Sequence, residues 1–342
     1  MSMLKYFFKR VLAMVPVTFG VMTLTFILSR MMPGDPVLAM LEAAGIAKPN
    51  PVVYNQMVRQ LGLDQHIIVQ YFRYIAELFT GQWGESVSIA RGQDVWDLIV
   101  QRLPLTIDLA IFSMIIASFI GIKAGVISST HRNKSSDTIV RGLALVGVAI
   151  PVFFLGMLVQ FILGYLIPIF PTTGHKNFVY ADPEFVTGFY IIDSLISGEI
   201  YKIFDYLYHM ILPVFCLSFI TLAGITRQTR SSMLEVLEQD YVRTARAKGC
   251  KERDVVNNHA LKNALIPTVT VIGLNFASLL TGAVLTESTF GLAGLGNLLI
   301  NSITLKDYWV LSAVVFLITL IFILATLITD LLYGILDPRI RY

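Results

Sequence analysis

Six stretches of this chain are each long and apolar enough to cross a hydrocarbon core of about 30 Å as a helix, which takes about 20 residues at about 1.5 Å each. They lie at about 11–31, 103–127, 139–170, 207–226, 264–285 and 308–332. The composition agrees: 55% of the residues are hydrophobic and 14% charged, where a soluble domain carries about 25% charge. With a mean hydropathy of +0.70, the chain argues against a soluble enzyme. The usual division of length into water-soluble domains does not apply.

The first stretch follows Lys5, Lys9 and Arg10. Its apolar run of about 18 residues exceeds that of a cleavable signal peptide, and no small-x-small site follows, so it is read as an anchor. Pro151 and Pro168 fall in the third stretch, which is expected to kink or end early. Pro213 and Pro267 fall near the expected starts of the fourth and fifth, where a missing N–H costs least.

Six spans place both termini on one side, and lysine and arginine accumulate on the cytoplasmic side. Termini, 128–141 and 227–262 placed inside, with Lys123, hold 17 basic and 8 acidic residues, against 9 and 15 on the other side. Both termini are therefore expected in the cytoplasm. The division is 1–32 for the N-terminus and first helix, 33–102 for an ordered extracytoplasmic subdomain, and 103–342 for a five-helix core with a cytoplasmic loop at 227–263. The outer segment contains the turn clusters Pro33-Gly34-Asp35-Pro36, Pro49-Asn50-Pro51 and 81–84 around helical-looking stretches at 55–61 and 70–79. A second outer segment, 171–205, has a turn at 180–183 and a short amphipathic helix at 191–196.

Catalytic signatures are missing from the sequence. There is no G-x-x-x-x-G-K-[ST] phosphate cradle, and Gly291, Gly294 and Gly296 lack the preceding strand of a dinucleotide site. His66, His131, His175, His209 and His259 form no ligand pair, and Cys216 and Cys250 support neither a disulfide framework nor a thiolate metal site. No catalytic, cofactor or metal residues are assigned. A net charge of +3 is too balanced to indicate nucleic-acid binding. Asp108, Lys123 and Asp330 lie near expected helix ends, where snorkelling or headgroup contact accounts for them. An ion-coupled secondary transporter would place ionisable groups at the midplane, and an intramembrane enzyme would pair catalytic residues in its spans.

The segment 226–264 stands apart. It carries 8 basic and 5 acidic residues, interspersed, with Met233, Leu234, Val236, Leu237, Tyr241, Val242 and Ala245 at helical spacing. It predicts short amphipathic helices broken at Gly249, docked onto something rather than free in solvent. Asp240-Tyr241-Val242-Arg243-Thr244-Ala245-Arg246-Ala247-Lys248-Gly249, followed by His259, Asn263 and Pro267, closely resembles the EAA-type coupling loop of ABC importer permeases of the dipeptide/oligopeptide/nickel branch. Arg243 stands where the wider motif has its acidic residue, as is usual in this branch. The resemblance extends along the chain through Gly34-Asp35, 60–63, 81–86, 229–233, 291–296 and 337–342, and the insertion at 187–193 is similar to B-type permeases of dipeptide systems. Ala293 departs from the family, which often has proline there.

The resemblance implies an all-α integral membrane protein with the six-helix type I ABC importer fold, in the inner membrane of a prokaryote and in contact with its lipid. It implies a translocation subunit rather than an enzyme, paired with a C-type permease, two ATPase subunits that bind ATP and Mg, and an extracytoplasmic solute-binding protein. Dipeptides or oligopeptides are the implied cargo, with glutathione, nickel chelates or oligosaccharides as alternatives within the family. The helix ending at Gly249 is expected to enter a groove on an ATPase subunit, with Tyr241 and Ala245 supplying contact area and Arg243, Arg246 and Lys248 fixing register. Gly34, Asp35, Glu287, Gly294 and Gly296 are expected at the extracytoplasmic gate and docking surface, where Glu77, Glu85, Asp94 and Asp97 could steer the binding protein.

Overall fold

The chain was analysed as a computed structural model, which describes residues 3–31, 35–43, 45–46 and 50–336. The helices are α1 (Met3–Met31), α2 (Pro36–Ala43), α3 (Pro51–Gln60), α4 (Ile67–Thr80), α5 (Val95–Thr130), α6 (Ser135–Ala149), α7 (Val152–Gln160), α8 (Tyr190–Ile196), α9 (Ile200–Leu237), α10 (Asp240–Ala247), α11 (Glu252–Asp254), α12 (Leu261–Gly282), α13 (Val284–Thr289), α14 (Leu295–Thr304) and α15 (Tyr308–Leu336). Single π-helical segments continue α7 over Phe161–Leu166 and join α11 to α12 over Val255–Ala260. Among the described residues, the one bridge outside a helix pairs Glu85 with Asp94.

Five helices are long and apolar enough to span a membrane: Phe7–Met31, Val95–Thr130, Ile200–Leu237, Glu252–Leu280 and Tyr308–Leu331. The expected third span, 139–170, is instead two helices, Ser135–Ala149 and Val152–Leu166, meeting at 101°. The corner is made by Pro151. Its ring excludes the helical conformation from Ile150, which sits at φ −86° and ψ 124°, and it supplies no N–H to continue the ladder. Counting this bent pair as one crossing gives six.

Helix boundaries depart from the apolar boundaries because a helix does not stop where hydropathy does. Asp94 accepts a hydrogen bond from the Trp96 N–H at 2.7 Å and so starts α5 at Val95, inside the segment expected to be an outer subdomain over 33–102. Likewise α9 spans Ile200–Leu237 rather than 207–226, its polar last turns continuing the ladder. Pro213 and Pro267 consequently lie inside continuous helices and not near their starts. Packed membrane helices tolerate this where neighbouring groups satisfy the freed carbonyl.

The parallel pair α5 and α9 forms the centre. Asp108 meets Tyr206 near one end, and Ser128 meets Arg230 near the other. Between them Gly121-x-x-x-Gly125 brings the two backbones close: a Cβ on Gly121 would lie 3.0 Å from Ile225, and one on Gly125 would lie 2.6 Å from the Thr229 Cβ and 2.9 Å from the Thr226 carbonyl oxygen. Lipid supplies no hydrophobic drive for helices to associate, so small residues that allow dense packing set the contact. Gly125→Val is expected to lower stability by about 1–3 kcal/mol through overpacking. Thermal unfolding of the purified protein in detergent measures this, with Gly142→Val, whose Cβ meets nothing within 4 Å, as the control of small effect.

Candidate functional site

The two ends of the α5–α9 pair carry the polar structure. At the C-terminal end, α10 turns its apolar stripe inward. Val242 (fully buried) and Ala245 pack with Met233, Val255, Val256, Ala260 and Ala264. This corrects the expected role of Ala245, which fills the chain's own core and presents no area to a partner. The exposed face of α10 holds Asp240, Tyr241, Arg243, Thr244, Arg246 and Ala247, with Lys248 and Gly249 following. Asp240 lies 3.6 Å from Arg243, while the Arg246 guanidinium grips both Glu252 oxygens at 2.8 and 3.1 Å. The Asn263 amide donates to the Tyr241 hydroxyl at 2.7 Å, tying α10 to α12. His259, Asn263 and Pro267 are exposed on that side of the fold. Gly249 ends the turn at φ +81°, left-handed backbone that side chains with a Cβ disfavour.

Behind α10, Asp137 is fully buried. Arg230 donates to both its oxygens at 2.8 and 3.0 Å, Ser128 to one at 2.6 Å and the Asn133 N–H to the other at 2.9 Å. A buried carboxylate is sustained only by such saturation. One side chain thereby joins the turn between α5 and α6 to α9.

At the opposite end, Glu287 plays the matching part. It is fully buried on α13, its Oε1 accepting from Thr106 at 2.7 Å and its Oε2 from the Asn297 N–H at 3.0 Å. Thr106 in turn accepts from the Leu295 N–H at 2.9 Å. Burial pushes the Glu287 carboxyl up, against the hydrogen bonds from Thr106, Asn297 and Gly296. Gly294 and Gly296 are explained by this packing: a Cβ on Gly294 would strike the Glu287 carboxylate, and one on Gly296 would lie 2.5 Å from the Val284 Cα. Glu287, Gly294 and Gly296 are all buried, so a docking partner does not reach them directly, and only the gating half of their expected role is compatible with the geometry. Gly34 lies outside the described residues. Asp35 is local structure: it accepts from the Val37 and Leu38 N–H groups at 2.8 and 3.2 Å and from Tyr54 at 2.5 Å, joining α2 to α3. Two of the four steering carboxylates are also engaged, Glu77 with Arg73 at 2.7 Å and Asp94 as the α5 cap.

Several anchoring residues were not singled out from sequence. Asp307, fully buried before α15, accepts from Ser86 at 2.7 Å and from the N–H groups of Val87, Ser88 and Ile89 at 2.9 to 3.3 Å. Trp83 stacks edgewise on Trp96 and Phe316 beside it, locking 81–89 onto α15. Asp193 gathers the 186–188 loop, accepting from the Thr187 hydroxyl at 2.7 Å and from the N–H groups of Val186, Thr187 and Gly188 at 2.8 to 3.3 Å. Burial opposes its ionisation, but the four donors outweigh it and hold the carboxyl below its usual value. The signal for such residues is a lone acid beside a turn, which a single sequence cannot separate from a solvated one. Asp108 also departs from expectation: it is buried and accepts from Tyr206 at 2.9 Å, with no sign of snorkelling. Lys123 lies 3.8 Å over the Phe119 ring, and Asp330 pairs with Arg10 at 3.0 Å.

Asp307→Asn removes the charge that four donors converge on, and is expected to expose 81–89 to proteolysis. Limited proteolysis followed by mass spectrometry checks this, with wild type resistant there. The His175 ring sits edge-on to Tyr190 and Tyr206 at 5.6 and 6.1 Å, and burial lowers its pKa from 6.5 to about 4. Because the unfolded loop binds the proton first, the stability His175 contributes is whole above pH 6.5 and is lost as pH falls toward 4. Hydrogen exchange over 171–189 is expected to rise across that window, and His175→Phe to flatten the rise.

Comparison with known proteins fits this architecture. The family described as "Binding-protein-dependent transport system inner membrane component" matches residues 117–342, and its N-terminal companion, "Binding-prot-dependent transport system membrane comp, N-term", matches residues 3–110. The chain is 41% identical to the dipeptide transport system permease protein DppB of Escherichia coli (strain K12), covering 99% of both chains. It is 40% identical to the di/tripeptide transport system permease protein DppB of Pseudomonas aeruginosa (strain UCBPP-PA14), again over 99% of both. It is 36% identical to the oligopeptide transport system permease protein AppB of Bacillus subtilis (strain 168), over 99% of this chain and all of that one. A helical bundle with five long apolar helices and one bent pair, matched over nearly its whole length, belongs to the family of inner-membrane components of binding-protein-dependent transport systems.

Proposed function

We propose that the chain is the permease subunit for short peptides, dipeptides foremost, in an ATP-driven importer. Identity of 39 to 41% over the whole length to permeases named for dipeptides supports this cargo. Hydrolysis of ATP is assigned to separate ATPase subunits, and a second, C-type permease and an extracytoplasmic binding protein complete the complex. Both termini and α10 face the cytoplasm in this reading, and the Glu287 and Asp307 clusters face outward, in line with the distribution of basic residues.

The observation that carries the mechanism is the division of α10 into a buried stripe, Val242 and Ala245, and an exposed face, Tyr241, Arg243 and Lys248. The buried stripe fastens α10 to the end of α9, so that a push on the exposed face is delivered to the bundle rather than absorbed by a loose loop. The exposed face offers an aromatic ring and cations, the residue types that anchor interfaces. Closure of the ATPase pair would move α10 as a rigid lever and switch the bundle between inward-open and outward-open states.

Replacing Tyr241, Arg243 and Lys248 with alanine should leave folding intact while ATPase subunits no longer co-purify, and retention of the ATPases would refute this docking face. Gly249→Val adds a strained left-handed residue at a cost of about 1–2 kcal/mol. Peptide uptake should fall much more than membrane abundance; equal falls in both would mean a folding defect alone.

A further inference from the structure

At the end of the bundle nearest Glu287, a cavity of 430 Å³ opens between α5, α8, α9 and the 171–189 loop. Its volume falls within the range of about 300–1,000 Å³ in which small-molecule sites lie. The lining has both charges. Arg102 and Asp108 face it from α5, Tyr206 from α9, Tyr190 from α8 and His175 from the loop.

Three of these groups are incompletely used by the fold. Arg102 makes no ion pair or hydrogen bond among the described residues. Asp108 accepts from the Tyr206 hydroxyl through Oδ2 alone, leaving Oδ1. Tyr190 is 8% exposed, and its hydroxyl has no partner. Polar groups inside a protein are nearly always paired, so an unpaired guanidinium and a half-used carboxylate facing one chamber point to a ligand that completes them; the Tyr190 hydroxyl is enclosed behind the ring and does not reach the chamber. Ionisable groups within a membrane span mark substrate pathways for the same reason. The floor is aromatic: Tyr190 and Tyr206 stack with centroids 4.9 Å apart and planes within 13°, and the His175 edge closes the box.

The spacing selects among ligands. Asp108 lies six positions after Arg102 on α5, a rise of about 9 Å. A two-residue peptide spans about 7 Å between its ends, and about 3 Å for each ion pair brings the need to about 13 Å. The reach of the arginine side chain makes up the difference. We infer that this chamber is a transit subsite that holds a short zwitterionic peptide by both ends, its carboxylate on Arg102 and its ammonium on Asp108, over the aromatic floor of Tyr190 and Tyr206. The subsite rests on the peptide reading above and adds the selection rule: a peptide blocked at either end leaves one charge of the chamber unpaired.

The test is ATP-dependent uptake of radiolabelled L-alanyl-L-alanine into proteoliposomes holding the complete importer with its binding protein. Arg102→Gln and Asp108→Asn should each cut uptake by about tenfold, with Arg102→Lys retaining at least about a third, as expected for a contact that depends on charge. Assembly and basal ATP hydrolysis should stay unchanged. Uptake by both neutral variants within about twofold of wild type, or Arg102→Lys failing as fully as Arg102→Gln, would overturn the subsite and leave the peptide importer standing. Absence of ATP-dependent uptake by wild type would overturn the peptide reading and the subsite together. Independently of the variants, p-benzoyl-L-phenylalanyl-L-alanine irradiated in the wild-type complex should attach to α5, α8, the N-terminal turns of α9 or 171–189, and attachment confined to other segments would refute the assignment.

Discussion

The close contact of α5 with α9 is the constraint on which the rest of this protein depends. Two glycines one helical turn apart bring the backbones together, and the resulting pair acts as a single rod. Thr106 and Ser128, which anchor the polar clusters at its two ends, are separated by 22 residues of α5, about 33 Å at the helical rise. A loosened contact would uncouple the Glu287 cluster from the Asp137 cluster.

Buried carboxylates do the second part of the work. Glu287, Asp307, Asp137 and Asp193 are each almost or fully enclosed, and each collects between two and five donors, from segments distant in sequence or from a turn. Burying a charge is costly, and breaking one partner away leaves that cost uncompensated. Such residues therefore specify which loop sits where. They hold α13 and α14 against α5, 86–89 against α15, the α5–α6 turn against α9, and the 186–188 loop against α8.

Much of this was legible beforehand. Apolar runs of spanning length located the five long apolar helices, because lipid exclusion acts on composition, which a sequence displays directly; the third run is a bent pair instead of one helix. The helical repeat from Met233 to Ala245 and the break at Gly249 anticipated α10 and its left-handed end. The residues of the 240–249 motif were all named, yet which of them face outward was not readable: Ala245 and Tyr241 both fall on the apolar side of the pattern, and only packing against Met233 and Val255 separates the buried from the exposed. Nearness to an apolar boundary marks Asp108 as a snorkelling residue only if that boundary is also a helix end, and here it is not. Asp94 starts the helix well before that boundary.

The linear order of residues settled what depends on local chemistry: the approximate place of the long apolar helices, an interruption of the third apolar run by proline, the glycine turn at 249 and the amphipathic character of the segment between the fourth and fifth spans. The three-dimensional structure alone decided what depends on partners far apart in the chain. Asp307 meets Ser86, Thr106 meets Glu287, and Arg102 and Asp108 come to share a chamber with Tyr190 and Tyr206. The physical reason is that hydropathy and propensity are sums over neighbours in sequence. The saturation of a buried charge, and the closeness a glycine permits, are properties of neighbours in space.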